Sequence, residues 1–390
     1  MKLSNITGRT PLLLWQLFLL LTVANPDVYL GLADIWFLPL LICFYGMFRK
    51  KTFVDNDTIQ YHYGLLIYLI LSTLISLIGY GIVSTGYLFS YALWILLHIA
   101  TLNLNFTQKE IKKLLSAYII SGAIMGFLIL YQRLDYYDSI YASRYTIQIL
   151  GHERFDPNFL AACMVIPFIL SITKQLFNYS LWNLVCLILI FLGVLFTASR
   201  GAMLSCSIGA TTAFSIFAFR RRKVKYLIWG GFLVVILGYT VLNILPEASF
   251  ERLFSKSYDD SSNEKRFVDW AVGFKAFENS WLFGYGMQGE MQIIKREVGV
   301  SMIAHNTYLA FLLQFGVIGF SVLAIGVMRL IKKTLLYKEY LVTAMVISTL
   351  FVVFFISGEV AVFLWVPLIT VSLVLQIKEN NKVSSITDLL

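Results

Sequence analysis

The chain has 390 residues, 58% hydrophobic and 14% charged, with a mean hydropathy of +0.76. No soluble domain of this length tolerates that balance, so the composition excludes soluble enzymes and carriers and requires a polytopic membrane protein. The net charge of +9 sits mainly in short loops between apolar runs. It is a topology signal and no argument for a nucleic-acid partner.

Crossing a bilayer as a helix takes about 20 apolar residues. Twelve stretches qualify, near residues 11–24, 30–48, 61–79, 84–102, 114–132, 157–173, 180–198, 201–219, 226–245, 303–328, 339–357 and 360–377. Lys2 and Arg9 precede the first stretch, and no small-residue cleavage site follows it, which is the pattern of a retained helix. With the N-terminus inside, twenty Lys and Arg fall on the cytoplasmic side and eleven opposite, seven of those in one long loop where the rule counts least. Both termini are therefore expected in the cytoplasm. Cys43, Cys163, Cys186 and Cys206 fall within apolar stretches, where thiols act as small apolar side chains and imply no disulfide framework.

Residues 1–132 read as a transmembrane scaffold, and 133–390 as a catalytic transmembrane region with external loops 133–156 and 246–302. In the scaffold, His98 is an intramembrane ionisable residue. No partner is visible in sequence, and an imidazole satisfied by a neighbouring helix is the expected reading. The first external loop ends in GHERFDPNFLAA, where Asp156 caps a helix opened by Pro157. His152 and Arg154 are candidate substrate contacts there. Next comes LFTASRGAML, whose tight turn pins Arg200 between two apolar helices. Gly201 permits close approach of a backbone or ligand, and snorkelling of Arg200 to the interface is the competing reading.

The long polar passage from Ser261 to Gly319 organises the rest. Ser261 and Glu264 fit a capping box. Phe267, Trp270, Ala271, Phe274 and Phe277 then recur at helical spacing, giving a stripe suited to the membrane surface or to neighbouring helices. Lys265, Arg266, Asp269 and Lys275 take the other directions. The helix breaks at Asn279-Ser280, and Gly284-Tyr285-Gly286 supplies a turn. Ala304-His305-Asn306 leads into a membrane helix whose Gln314, Gly316 and Gly319 suit close packing. Two roles are open to Asn306, helix cap or sugar contact. Glu359, between the last two spans, is an external carboxylate that could partner an arginine.

The chain carries no HExxH, Cys/His metal cluster, P-loop or GxSxG, and the adjacent Asp259-Asp260 is no DxD pair. What remains is arginines, which grip phosphate oxygens bidentately, and one well-placed histidine able to take a proton near neutrality. The pattern DPN at Asp156 to Asn158, TASRG at Thr197 to Gly201, then Arg266, Trp270, GYG and AHNTYL followed by Gly316 and Gly319 resembles the O-antigen ligase and O-antigen polymerase superfamily. The likeness spans about residues 150–320 and departs from the family at Trp281, where a proline often stands before the Gly-x-Gly turn.

The resemblance implies an all-α, GT-C-like fold of about twelve transmembrane helices with one long external loop containing a helix. It also implies a metal-independent, inverting glycosyl transfer on the outer face of the cytoplasmic membrane, with no cofactor. Its partners would be a polyprenyl-diphosphate-linked glycan donor, a glycan acceptor, the lipid bilayer and other polysaccharide-export proteins. By the same resemblance Arg200 and Arg266 hold the diphosphate and His305 serves the acceptor hydroxyl. Arg154, Asn306, Trp270 and Glu359 are the expected substrate contacts. For Arg266 a solvated helix face, and for His305 a simple interfacial anchor, are the competing readings. The expected product is a capsule or O-antigen polymer, with a ligase as the alternative. A flippase for the same lipids is disfavoured because ionisable residues within the spans are few and polar features gather on one face, whereas alternating access needs a midplane site.

Overall fold

The computed structural model describes residues 6–21, 37–48, 54, 56–135, 144–148, 154–221 and 256–379. Among them are thirteen helices and one two-residue antiparallel ladder. The helices are α1 (Ile6–Leu21), α2 (Phe37–Met47), α3 (Asn56–Tyr80), α4 (Thr85–Leu104), α5 (Gln108–Gln132), α6 (Pro157–Phe177) and α7 (Leu181–Phe196). After these come α8 (Arg200–Arg221), α9 (Lys256–Glu278), α10 (Glu290–Val298), α11 (Thr307–Leu336), α12 (Tyr340–Val353) and α13 (Val362–Glu379). The ladder pairs β1 (Leu134–Asp135) with β2 (Tyr145–Thr146).

Eleven of the twelve expected spans fall on helices, and the stretch 226–245 lies outside the described residues. Seven helices, α3, α4, α5, α6, α8, α11 and α13, are long and apolar enough to cross a bilayer. The protein is thus an all-α polytopic membrane protein with seven candidate spans among the described residues, where twelve were expected over the whole chain. One expected stretch lies outside the described residues, and others fall short in length: α7, with 16 residues, reaches about 24 Å at 1.5 Å per residue, short of a hydrocarbon core about 30 Å thick. Apolar run length in sequence overstates helix length wherever a turn is itself apolar.

Local chemistry sets the ends that matter. Thr107 and Glu110 form a reciprocal capping box at the head of α5. Asp156 accepts from the Asn158 N–H ahead of Pro157, as the sequence indicates for α6. α5 packs on α7, α6 on α8 and α8 on α12. A side chain at Gly126 of α5 would collide with the Leu189 backbone of α7, so only glycine permits that approach. α6 and α13 are buried along most of their length, whereas α3 and α11 expose apolar flanks such as Ile70 and Ile78 of α3, the pattern of helices facing lipid.

His98 proves to have a partner, His62 of α3, 3.1 Å away. His62 Nδ1 lies 2.7 Å from the Thr58 carbonyl, which can only accept, so that nitrogen carries the proton. The bare His62 Nε2 then accepts from His98 Nδ1–H. The pair borders a cavity of about 760 Å³ between α3, α4, α11 and α13 and is a structural contact between helices.

Candidate active site

The site is assembled around a break in α11. Gly316 has φ 62° and ψ −172°, a conformation open to glycine, and it splits the helix into two pieces. The turn after α9 fits into this break. Tyr285 and Gly286 donate to the carbonyls of Leu313 and Gln314 at 2.8 Å each, while Val317 and Ile318 donate to those of Trp281 and Leu282 at 2.9 and 3.2 Å. Backbone groups released by the broken helix are thereby satisfied. Gly284 and Gly286 take φ of 71° and 79°, as expected of the turn. Gly316 is therefore a socket for the turn, a different role from the close helix packing expected, whereas Gly319 does pack closely, against Tyr68.

α9 begins at Lys256, five residues before the expected cap at Ser261. The buried face of α9 carries Asp269 and Ala276, and Gly273 lets Leu309 and Ala304 approach. The apolar stripe is divided: Phe267 and Phe274 are exposed, while Trp270 packs edge-on against Phe354 with centroids 5.3 Å apart.

At the other side of the site, α7 stops at Phe196 and Ala198 turns left-handed with φ 49°. Arg200 is then the first residue of α8. A cation at a helix N-terminus works against the dipole, and together the guanidinium and the free N–H groups favour an anion. The buried Arg144 fixes this corner by donating to the Thr197 carbonyl at 3.0 Å and to Asn158 Oδ1 at 2.6 Å. It thus joins the TASRG and DPN segments to the loop that precedes both. Gly201 meets the Phe355 side chain, so the close approach it permits is used by the connection between α12 and α13.

The charges converge. Arg266 is acted on by Arg200, Asp156 and Asp269, and its pKa is lowered by desolvation and then by Arg200. His305 feels Arg266, Asp156, Asp269 and Lys265. Its pKa lies below the ordinary 6.5, first through desolvation and then through Arg266, with Asp156 and Asp269 opposing. The ring remains open to solvent, so the wall behind it dehydrates it only in part. The outcome is a neutral imidazole at neutral pH, beside two guanidinium groups. Buried Asp269 is raised by desolvation and pulled back by His305, Lys265 and Arg266.

His305 itself adopts φ 51°. Asn306 caps α11, accepting from the N–H groups of Tyr308 and Leu309 at 3.0 and 3.1 Å. Its own N–H donates to Ser357 Oγ at 3.1 Å. Glu290, at the start of α10, is buried; its Oε1 accepts from the Ala304 N–H, and its Oε2 has no hydrogen-bond partner among the described residues. Burial, followed by the nearby Glu359, pushes Glu290 up to about 8.

The structure thus brings together Arg200, Arg266 and His305, while Trp270, four residues on from Arg266 in α9, packs on Phe354. Arg154 donates to the Asp135 carbonyl on β1. Glu359 corrects an expectation. It is fully buried, its Oε1 accepts from Gln314 Nε2 at 3.2 Å, and it faces Glu290, with no arginine in an ion pair with it among the described residues. The connection that carries it is drawn inward by Trp94 and Trp365, which donate to the Val360 and Glu359 carbonyls. The sequence pattern does not single out Glu290, and it sets Asp269 only among the charges that lie off the apolar stripe of α9. Arg144 went unremarked among the loop's other charges. The one available signal was that Asp269 lies three residues after Arg266, on the same helix face.

A comparison with curated proteins finds no match. Residues 185–324, which include Arg200, Arg266, the glycine turn, Glu290 and His305, match the family model Wzy_C, O-antigen ligase. This stretch of the chain is therefore similar to the O-antigen ligase family.

Proposed function

We propose that the protein is a metal-independent, inverting glycosyltransferase that polymerises polyprenyl-diphosphate-linked repeats of a capsule or O-antigen on the outer face of the cytoplasmic membrane. The observation that carries this reading is the convergence of Arg266, Arg200 and a neutral His305 at the head of a candidate span. Arg200 and Arg266 grip the diphosphate, the leaving group. It departs already acidic, so electrostatic clamping serves it better than a proton donor. His305 takes the proton of the attacking hydroxyl, a role worth about 10²- to 10⁴-fold in rate. Exposed Phe267, Phe274, Trp281 and Phe283 beside the site suit a substrate held by a lipid tail. Arg154, Asn306, Trp270 and Glu359 are assigned supporting roles around the glycan. For Asn306 and Glu359 these act through the loop that carries His305.

A ligase reading is favoured by the family description itself. The deciding experiment supplies purified protein with a lipid-linked oligosaccharide and no added metal. A ladder of products supports polymerisation, and transfer of one block to a separate acceptor supports ligation. Movement of lipid without bond formation overturns both.

A further inference from the structure

The left-handed backbone of His305 needs an explanation. For a residue with a Cβ this conformation costs about 1–2 kcal/mol, and it persists only where the surroundings over-determine it. The two amides flanking His305 supply that determination. The Ala304 N–H donates directly to Glu290 Oε1, and on the other side the Asn306 N–H donates to Ser357 Oγ at 3.1 Å; the second carboxyl oxygen of Glu290 is buried without a hydrogen-bond partner among the described residues. Behind them Thr307 donates to the Ile356 carbonyl and accepts from the Gly358 N–H at 3.0 Å, locking the two loops together.

We propose that Glu290 is the positioning residue for His305: its carboxyl holds the Ala304 amide before the histidine, Ser357 holds the Asn306 amide after it, and between these two anchors the imidazole's place is fixed. The inference rests on the reading of His305 as the base that serves the acceptor. Glu290 does this in its neutral form. The charges facing it are Glu359 from the α12–α13 connection and Asp269 from α9, both acidic. His305, Arg266 and Lys265 lie beyond Asp269. On α10, Arg296 is engaged by Gln288 and Glu297. Ionising Glu290 puts a second negative charge against Glu359 and Asp269 in a desolvated place, and the clamp then loosens.

The test compares Glu290→Gln and Glu290→Ala with wild type across pH 6 to 9. Glutamine keeps the acceptor and cannot ionise. Glu290→Ala should lower kcat about 10²-fold, the scale of a small misplacement of a reacting group, with the KM for the lipid-linked donor little changed. Wild type should lose activity in a transition near pH 8, and Glu290→Gln should match it at neutral pH yet lack that transition. Amide exchange at Ala304, corrected for intrinsic rate, should rise in Glu290→Ala and in wild type above pH 8. Full activity in Glu290→Ala, or an unchanged alkaline transition in Glu290→Gln, overturns the proposal. If Glu290→Ala fails to insert, the glutamine variant decides alone. If wild type transfers no glycan, the transferase reading has failed, and the exchange measurement still decides whether Glu290 holds the loop.

Discussion

At the scale of single residues, the cations and the histidine make separable contributions. A lysine at Arg200 or Arg266 keeps the charge and loses the two-pronged fork that fits a diphosphate. Each of Arg200→Lys and Arg266→Lys should therefore cut transfer by about 10²-fold, the scale for removing one preorganised donor, at unchanged expression. His305→Ala should abolish most transfer while donor binding survives, because that grip belongs to the arginines. His305→Gln separates proton removal from positioning, and near-normal activity in that variant would reassign the proton to water or a carboxylate. The pKa of His305 lies below 6.5, so the acid limb of the pH–rate profile should have its midpoint below 6.5, and a midpoint above 6.5 would contradict the assignment. The same depression means that His305 stabilises the fold above its ordinary pKa and that this contribution is lost as pH falls through the folded value. Arg200, Arg266 and His305 were legible because their types and spacing match a pattern. Glu290 and Arg144 were not, since their meaning comes from burial and from partners 14 and 53 residues away.

At the scale of elements, the broken α11 and the turn that fills it form one unit. A Cβ at Gly316 would meet the Leu282 backbone and the Gly284 nitrogen, and φ 62° would strain it as well. Gly316→Ala should therefore cost about 2 kcal/mol or more, read as a lower unfolding midpoint in detergent. Because the first half of α11 carries Asn306 at its head, activity should fall further than stability alone accounts for. Helix positions were legible from hydropathy, since burial and lipid exposure both demand long apolar runs. The glycines were recognisable as places of close approach, but the socket was hidden because it joins segments some 30 residues apart through backbone hydrogen bonds. The start of α9 was missed because a capping signature inside a longer helix looks the same in sequence as one at its end. Glu290 also links this region to pH. Its carboxyl is raised from 4.5 to about 8, so its contribution to stability is full below pH 4.5. It declines as the unfolded chain ionises first and levels off above about 8.

At the scale of the whole molecule, polar groups divide between the two ends of the bundle. One end holds His305, Glu290, Glu359 and the arginines at the heads of α8, α11 and α13. The other holds Lys378 on Glu339 at 3.0 Å and Lys333 on Glu379 at 2.8 Å, where α11, α12 and α13 meet. α11 and α13 run from the first end to the second, and α12 returns between them, so the two sets lie at opposite ends of the same helices. If the excess of Lys and Arg marks the cytoplasmic side, the Lys378 end is inside and the His305 end outside, where a lipid-linked glycan already moved across the membrane would be met. Reporters fused after Lys51, Lys113 and Lys223 should then be cytoplasmic, and one inserted near Lys256 external. The four positions test different loops, so a single misplaced helix cannot imitate the expected pattern. An external signal at Lys223 would put Arg200, one helix away, on the cytoplasmic side, and the diphosphate clamp would then have to work on glycans before their export.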